Sequence, residues 1–254
     1  MLLVPACIGS APASAAGKAF ILDYHTFLSS GSSSMDFDLE TLAGQLDRFT
    51  TLGYRFVSLE DAIAGRIEGE ANIVVTIDDG HRTVAEAYDK VFAPRGIRPT
   101  LFVYPAVIGR TGFSLGRDEL RRILAAGCGL GSHGYHHEYL TAQAFAEDPR
   151  KARGEIERTG PALERLTGTR PRLFAFPFGV GSAEAEELLA RNGFEYAFLA
   201  GDSLVAVDFA DPSLRKLAVP RTIVYRWNAI LIFAELEKRN KARLSLGPAA
   251  NSHP

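Results

Sequence analysis

The sequence predicts an α/β protein, a distorted (β/α) barrel of about seven mainly parallel strands in a single domain. Three observations carry that expectation. Short runs of β-branched and aromatic residues recur along the 254-residue chain, separated by segments whose apolar residues fall at helical spacing, the alternation that builds parallel sheets. Ile73-Val74-Val75-Thr76-Ile77 is close to continuously apolar rather than alternating, as a strand covered on both faces would be. No internal repeat and no convincing linker divides residues 19–240, and a chain of this length can bury one substantial core.

From the N-terminus, Phe20-Ile21-Leu22-Asp23-Tyr24-His25 reads as the first strand, followed by a serine-rich loop at 29–34 around Gly31. Leu39, Leu42, Leu46 and Phe49 place a helix over 38–52, stopped by Gly53. Residues 55–59 predict a second short strand and 60–65 a small helix. The strand at 73–77 comes third; a helix over 82–93 follows it, with Val84, Ala87, Tyr88 and Val91 inward, and ends near Pro94. Thr100-Leu101-Phe102-Val103-Tyr104 is the fourth strand, and a helix over 117–126 ends at Gly127. Cys128 to Ser132 then makes a short strand leading into His133. The pattern over 141–167 predicts one helix or two, broken near Pro149. Leu173 to Pro177 is the next strand, and Ser182 caps a helix running to Arg191. Strands at 194–198 and 217–221, a closing helix over 227–239 and a flexible tail over 241–254 complete the chain.

Composition bounds the function. Hydrophobic residues make up 46% and charged residues 23%, ordinary for a globular protein, and the net charge of −2 is too near neutral for a general nucleic-acid or anionic-membrane binder. No stretch reaches the roughly 18–20 apolar residues of a membrane span. Cys7 and Cys128 form no ligand spacing, and Cys128 reads as packing. In residues 1–18 an apolar run precedes Ala11-Pro12-Ala13-Ser14-Ala15-Ala16, which resembles the cleavage region of an export signal lacking its basic start; a disordered small-residue segment is the alternative. Leu3 to Cys7 is only faintly like a lipid-attachment box. The expected location is periplasmic, cell-envelope or extracellular, with the cytoplasm as the alternative. Oligomeric state is not legible in the sequence.

Chemistry concentrates at two places. Asp78 and Asp79 emerge from the end of the buried strand, where parallel β/α folds hold their ligands. Successive residues point to opposite sides, so one carboxylate can hold a cation while the other handles a proton; the plainer reading is capping of the next helix. His133 and His137, four apart in Ser132-His133-Gly134-Tyr135-His136-His137, can converge on one point, and His136 could replace His137 if the turn is rotated. Two imidazoles and a carboxylate make three protein ligands and leave a position open, as catalytic zinc sites require. Cobalt, nickel or another transition metal would suit the same donors.

Thr76-Ile77-Asp78-Asp79-Gly80, His133-x-x-x-His137-x-x-Leu140 and Phe174-Ala175-Phe176-Pro177-Phe178-Gly179 resemble, in order, the first three motifs of the polysaccharide deacetylases, carbohydrate esterase family four, over residues 20–235. The resemblance implies that Asp79, His133 and His137 ligate the metal, that Asp78 is the general base, and that the Phe178 N–H holds the oxyanion. A late Leu-x-His motif that carries the general acid in many members is absent between Ile223 and Phe233. Tyr24-His25 at the end of the first strand instead resembles the permuted members that act on poly-N-acetylglucosamine, which makes His25 the candidate acid; the alternative is a core histidine bonded to backbone. The third motif lacks its usual arginine, and Arg221 can supply the guanidinium that keeps Asp78 ionised, or serve as an ordinary surface ion pair. Phe176, Phe178 and Tyr135 are candidates for stacking on sugar rings, against a core role; His81 either lines the groove or faces solvent. The implied activity is metal-dependent removal of N-acetyl groups from a sugar polymer. An O-acetyl esterase or other amidase, and an inactive carbohydrate-binding descendant, are the alternatives.

Overall fold

The computed structural model describes residues 17–29 and 31–245, so the expected export segment and Cys7 lie outside them, apart from Gly17 and Lys18. The elements in chain order are β1 (Lys18–Tyr24), α1 (Leu39–Thr51), β2 (Arg55–Phe56), α2 (Leu59–Ile63), β3 (Asn72–Ile77) and α3 (Thr83–Ala87). They continue with β4 (Thr100–Val103), α4 (Arg117–Ala125), β5 (Gly129–Ser132), α5 (Ala142–Glu147), α6 (Pro149–Glu157) and α7 (Thr159–Thr167). The last are β6 (Leu173–Ala175), α8 (Ala183–Arg191), β7 (Tyr196–Phe198), β8 (Ala206–Asp208), β9 (Thr222–Ile223) and α9 (Ala229–Ser245).

The strands form one mainly parallel sheet in the order β7-β6-β5-β4-β3-β1-β8, with β9 also on β1. Backbone bonds continue from β7 onto residues 216–223, among them Leu199 N–H to Val219 O and Arg221 N–H to Leu199 O. The ring therefore returns through β9 to β1. This is the expected distorted barrel in a single domain, with β8 the one antiparallel strand among the described residues.

Strand alternation sorts the side chains. Ile73, Val75 and Ile77 face outward with Phe20, Leu22 and Tyr24 against α1 and α9, where Phe49 and Phe233 pack with ring centroids 4.6 Å apart. Ala19, Ile21, Val74, Phe102, Ala175, Phe198 and Val219 fill the barrel interior. Above that apolar layer the same faces carry polar groups: Asp23 on β1, Thr76 on β3 with Asp78 just past its end, and Arg221, all buried. Register aligns the tips. Tyr24 pairs with Ile77 and Val103 with Ser132, so His25 and Asp78 leave adjacent strands side by side, and His133 follows from the neighbouring pair.

Several expected boundaries shift. The strand expected at 217–221 is assigned at Thr222–Ile223, because residues 216–221 bond β7 only through bridges and loop contacts. The second strand stops at Phe56, since Ser58 turns out to cap α2. The helix expected at 82–93 passes from α3 through a π turn and a 3₁₀ turn before ending at left-handed Gly96. The 141–167 stretch is three helices, and the closing helix occupies residues 241–245 of the expected flexible tail. Cys128 is buried and free, in keeping with packing.

Candidate active site

Asp78, Asp79, His25, His133, His137 and Phe178 line one cavity of about 310 Å³ at the C-terminal mouth of the barrel. Asp78 is fixed at the end of β3 by its own N–H, which donates to Tyr24 O at 2.9 Å. Its carboxylate receives both terminal nitrogens of Arg221, at 2.7 Å each, in a buried bidentate pair. Arg221 also meets Thr76 Oγ1 at 3.0 Å and Asp23 at 3.3 Å, and lies over the Phe102 ring. It is thus an interior group rather than a surface ion pair.

The two carboxyl groups sharing that guanidinium are driven apart. Burial works against the charged form of Asp78, but the Arg221 guanidinium outweighs it and holds the carboxyl well below the usual range. Burial raises Asp23 well above that range; Arg221 opposes this less effectively, and Asp78 and Asp79 add to the rise. Asp78 is therefore the ionised member. His25, Asp23 and Asp78 offer donor atoms that all lie within 4.8 Å of one another, and His25 Nδ1 is buried without a partner among the described residues. His25 is thus next to the candidate base, and the backbone-bonded core reading does not apply to Nδ1.

The second cluster is Asp79, His133 and His137. His133 is buried, and its Nδ1 lies 2.9 Å from Ala175 O; a carbonyl only accepts, so Nδ1 carries the proton and Nε2 presents a lone pair. Burial also lowers the proton affinity of this imidazole, outweighing Asp78 and Asp79. Asp79 Oδ1 is buried without a hydrogen-bond partner among the described residues, 3.6 Å from His133 Nε2 and 3.3 Å from His137 Nε2. Donors bonded to one tetrahedral zinc at about 2.0–2.1 Å are themselves roughly 3.3–3.4 Å apart. An unpartnered carboxylate oxygen facing an imidazole lone pair at that separation fits a divalent cation.

Backbone strain gathers in the same place. Asp79 (φ 70°), His137 (φ 67°) and Phe178 (φ 60°) are the non-glycine residues with positive φ among the described residues. Gly80 continues the turn at φ 72°, where a Cβ would lie 2.8 Å from Val103 Cγ1. Phe178 N–H donates to no backbone carbonyl among the described residues. Its half-exposed ring stacks on Tyr139, with centroids 3.8 Å apart, and meets the His137 ring edge-on.

Two aromatic assignments change. Phe176 is fully buried against Phe174, so it cannot meet a sugar. Tyr135 points away from the mouth, packs under the Arg158 guanidinium and lines a separate cavity. His136 faces Tyr135 rather than the cation cluster, and His81 stacks on Phe113 outside the cavity. Tyr225 and Tyr139 are additional aromatics at or beside the mouth. Asp23 was also missed; its position two before His25, on the same strand face, is the sequence signal that could have found it.

The family model described as polysaccharide deacetylase matches residues 66–197, more than half of the chain. Among curated proteins none gives a sequence match. Among solved structures the chain is similar to IcaB from Ammonifex degensii, at 28% identity and a TM-score of 0.75, covering 87% of this chain and 97% of that one. A de-N-acetylase from Aggregatibacter actinomycetemcomitans shares the fold at 15% identity and a TM-score of 0.71, over 85% of this chain and 99% of that one. The Streptococcus pyogenes deacetylase PplD, solved in complex with acetate, does so at 16% identity and a TM-score of 0.70, over 82% and 93%.

Proposed function

The chain belongs to the polysaccharide deacetylase family, and from that premise we propose that it removes N-acetyl groups from an N-acetylated sugar polymer, poly-N-acetylglucosamine, chitin-like or peptidoglycan glycan, with a divalent cation, zinc first, at its mouth. The observation that carries the reading is the junction of two clusters at adjacent residues: Asp78 clamped by Arg221, and Asp79 converging with His133 and His137. When bound, the cation supplies Lewis-acid charge that polarises the acetyl carbonyl and eases ionisation of water.

The protein's own groups do the rest. Asp78, kept ionised by Arg221, takes the proton of the attacking water. The Phe178 N–H donates to the oxygen on which negative charge develops. His25, beside Asp78, gives a proton to the departing sugar nitrogen. Phe178 and Tyr225 supply apolar walls where the acetyl group and sugar ring are held.

The test is acetate release from N-acetylglucosamine oligomers by protein stripped with a chelator and reloaded with zinc. Release should depend on the metal. Asp78→Asn should lower turnover by about 10²–10⁴-fold with zinc still bound, whereas Asp79→Asn should weaken zinc binding itself. Release from acetylated xylan alone would move the reading to an ester substrate, and no release from any glycan by zinc-loaded protein would contradict it.

A further inference from the structure

The loop that carries His137 is held from beneath by a side chain outside the reacting groups. Glu155 lies on the buried stripe of α6 with Ala152 and Ile156, and is fully buried. Its Oε2 accepts the backbone N–H of Tyr135 at 2.9 Å, of His136 at 2.7 Å and of Glu138 at 3.3 Å. Residues on both sides of His137 are therefore tied to one oxygen atom. One turn further, Thr159 at the start of α7 donates its hydroxyl to Gly134 O at 2.9 Å and lies 2.7 Å from the Ser132 hydroxyl. Gly134, at φ +77°, admits this approach; a Cβ there would lie 2.8 Å from Glu155 Oε2.

A buried carboxylate is costly even when hydrogen-bonded, and Glu155 Oε1 has no partner among the described residues. An apolar residue would extend the stripe without that cost. What the carboxylate secures is the backbone of 135–138, including His137 at φ 67°. A non-glycine residue stays in that conformation when its surroundings over-determine it.

We propose that Glu155, with Thr159 beside it, is a positioning residue that sets the strained backbone of His137 so that its imidazole meets Asp79 and His133 around one cation. The inference rests on the proposed cation site and assigns the preorganisation of that site to α6 and α7.

Zinc affinity of the intact chain, stripped of metal and titrated with zinc against a chromophoric chelator, tests it without reading activity. Glu155→Gln keeps the shape but replaces charge-assisted acceptance with neutral acceptance, and should weaken zinc binding by about 10–100-fold. Thr159→Val, which releases Gly134 O, should weaken it by a smaller factor and decides the matter if Glu155→Gln does not fold. Ile156→Val loosens the same helix without touching the loop and should keep wild-type affinity. Wild-type affinity in both clamp variants, or an equal loss in Ile156→Val, overturns the inference. A wild-type protein that binds no zinc overturns the cation reading and the inference with it.

Discussion

Arg221 decides the charge state at the mouth. It holds Asp78 through two bonds of 2.7 Å and reaches Asp23 only at 3.3 Å. Because the Asp78 carboxyl is lowered, its contribution to stability is present above the unfolded value of about 3.9 and is lost as pH falls through the folded value. Asp23 has the opposite sign: raised on folding, its contribution is complete below about pH 3.9 and is lost as pH rises through the folded value. Asp23→Asn removes a carboxyl whose charged form burial disfavours and should cost far less in urea unfolding than loss of Arg221. Arg221→Met strands a buried carboxylate and should cost about 3–5 kcal/mol in urea unfolding. Equal losses from the two would contradict the split. Most of the site was legible at this scale because Asp78, Asp79, His133 and His137 follow strands in motif order and His25 follows the first strand, while Arg221, just before β9, was a guanidinium available to replace the one missing from the third motif. Asp23 and Glu155 were not: Asp23 reads as an exception within an apolar strand, and Glu155 is hidden among the charged residues of 150–158. Phe176 and Tyr135 were misplaced because chain position does not tell which way an aromatic turns after a strand.

Helix ends are what aim these residues. Ser182, the N-cap of α8, accepts from Ala185 N–H at 3.2 Å and begins the helix just past the turn that carries Phe178 and Gly179. Ser182→Ala should lower stability by about 0.5–2 kcal/mol in thermal or urea unfolding while zinc affinity stays at the wild-type value. A loss of zinc affinity would mean that this cap also holds the mouth. Its position was readable, since a serine before an apolar helical pattern is a local signal. The break between α6 and α7 was not foreseen, although Pro161, lacking an N–H, cannot continue an unbroken ladder through Glu157. The three-residue β8 was also missed, as so short a strand shows no period, and its antiparallel pairing with β1 is set by the tertiary structure alone.

The ring makes chain order unimportant to the site. β1 lies between β3 and β9, so the strand carrying Asp23 and His25 can stand first in the sequence while Arg221 comes shortly before β9. Parallel strands bring all their C-terminal tips to one mouth, which is why residues as far apart as His25 and Arg221 share neighbours. The barrel class and its near closure followed from the strand and helix alternation; the way it closes did not, because irregular backbone at 199–201 and 216–221 bonds without a regular ladder. The central claim is that this mouth holds one cation on Asp79, His133 and His137, with Asp78 left free beside it. Anomalous diffraction at the zinc edge from zinc-soaked crystals tests it most directly. The account predicts one strong peak about 2.0–2.2 Å from Asp79 Oδ1, His133 Nε2 and His137 Nε2. No peak there, or a peak held instead by Asp23, His25 and Asp78, would contradict it.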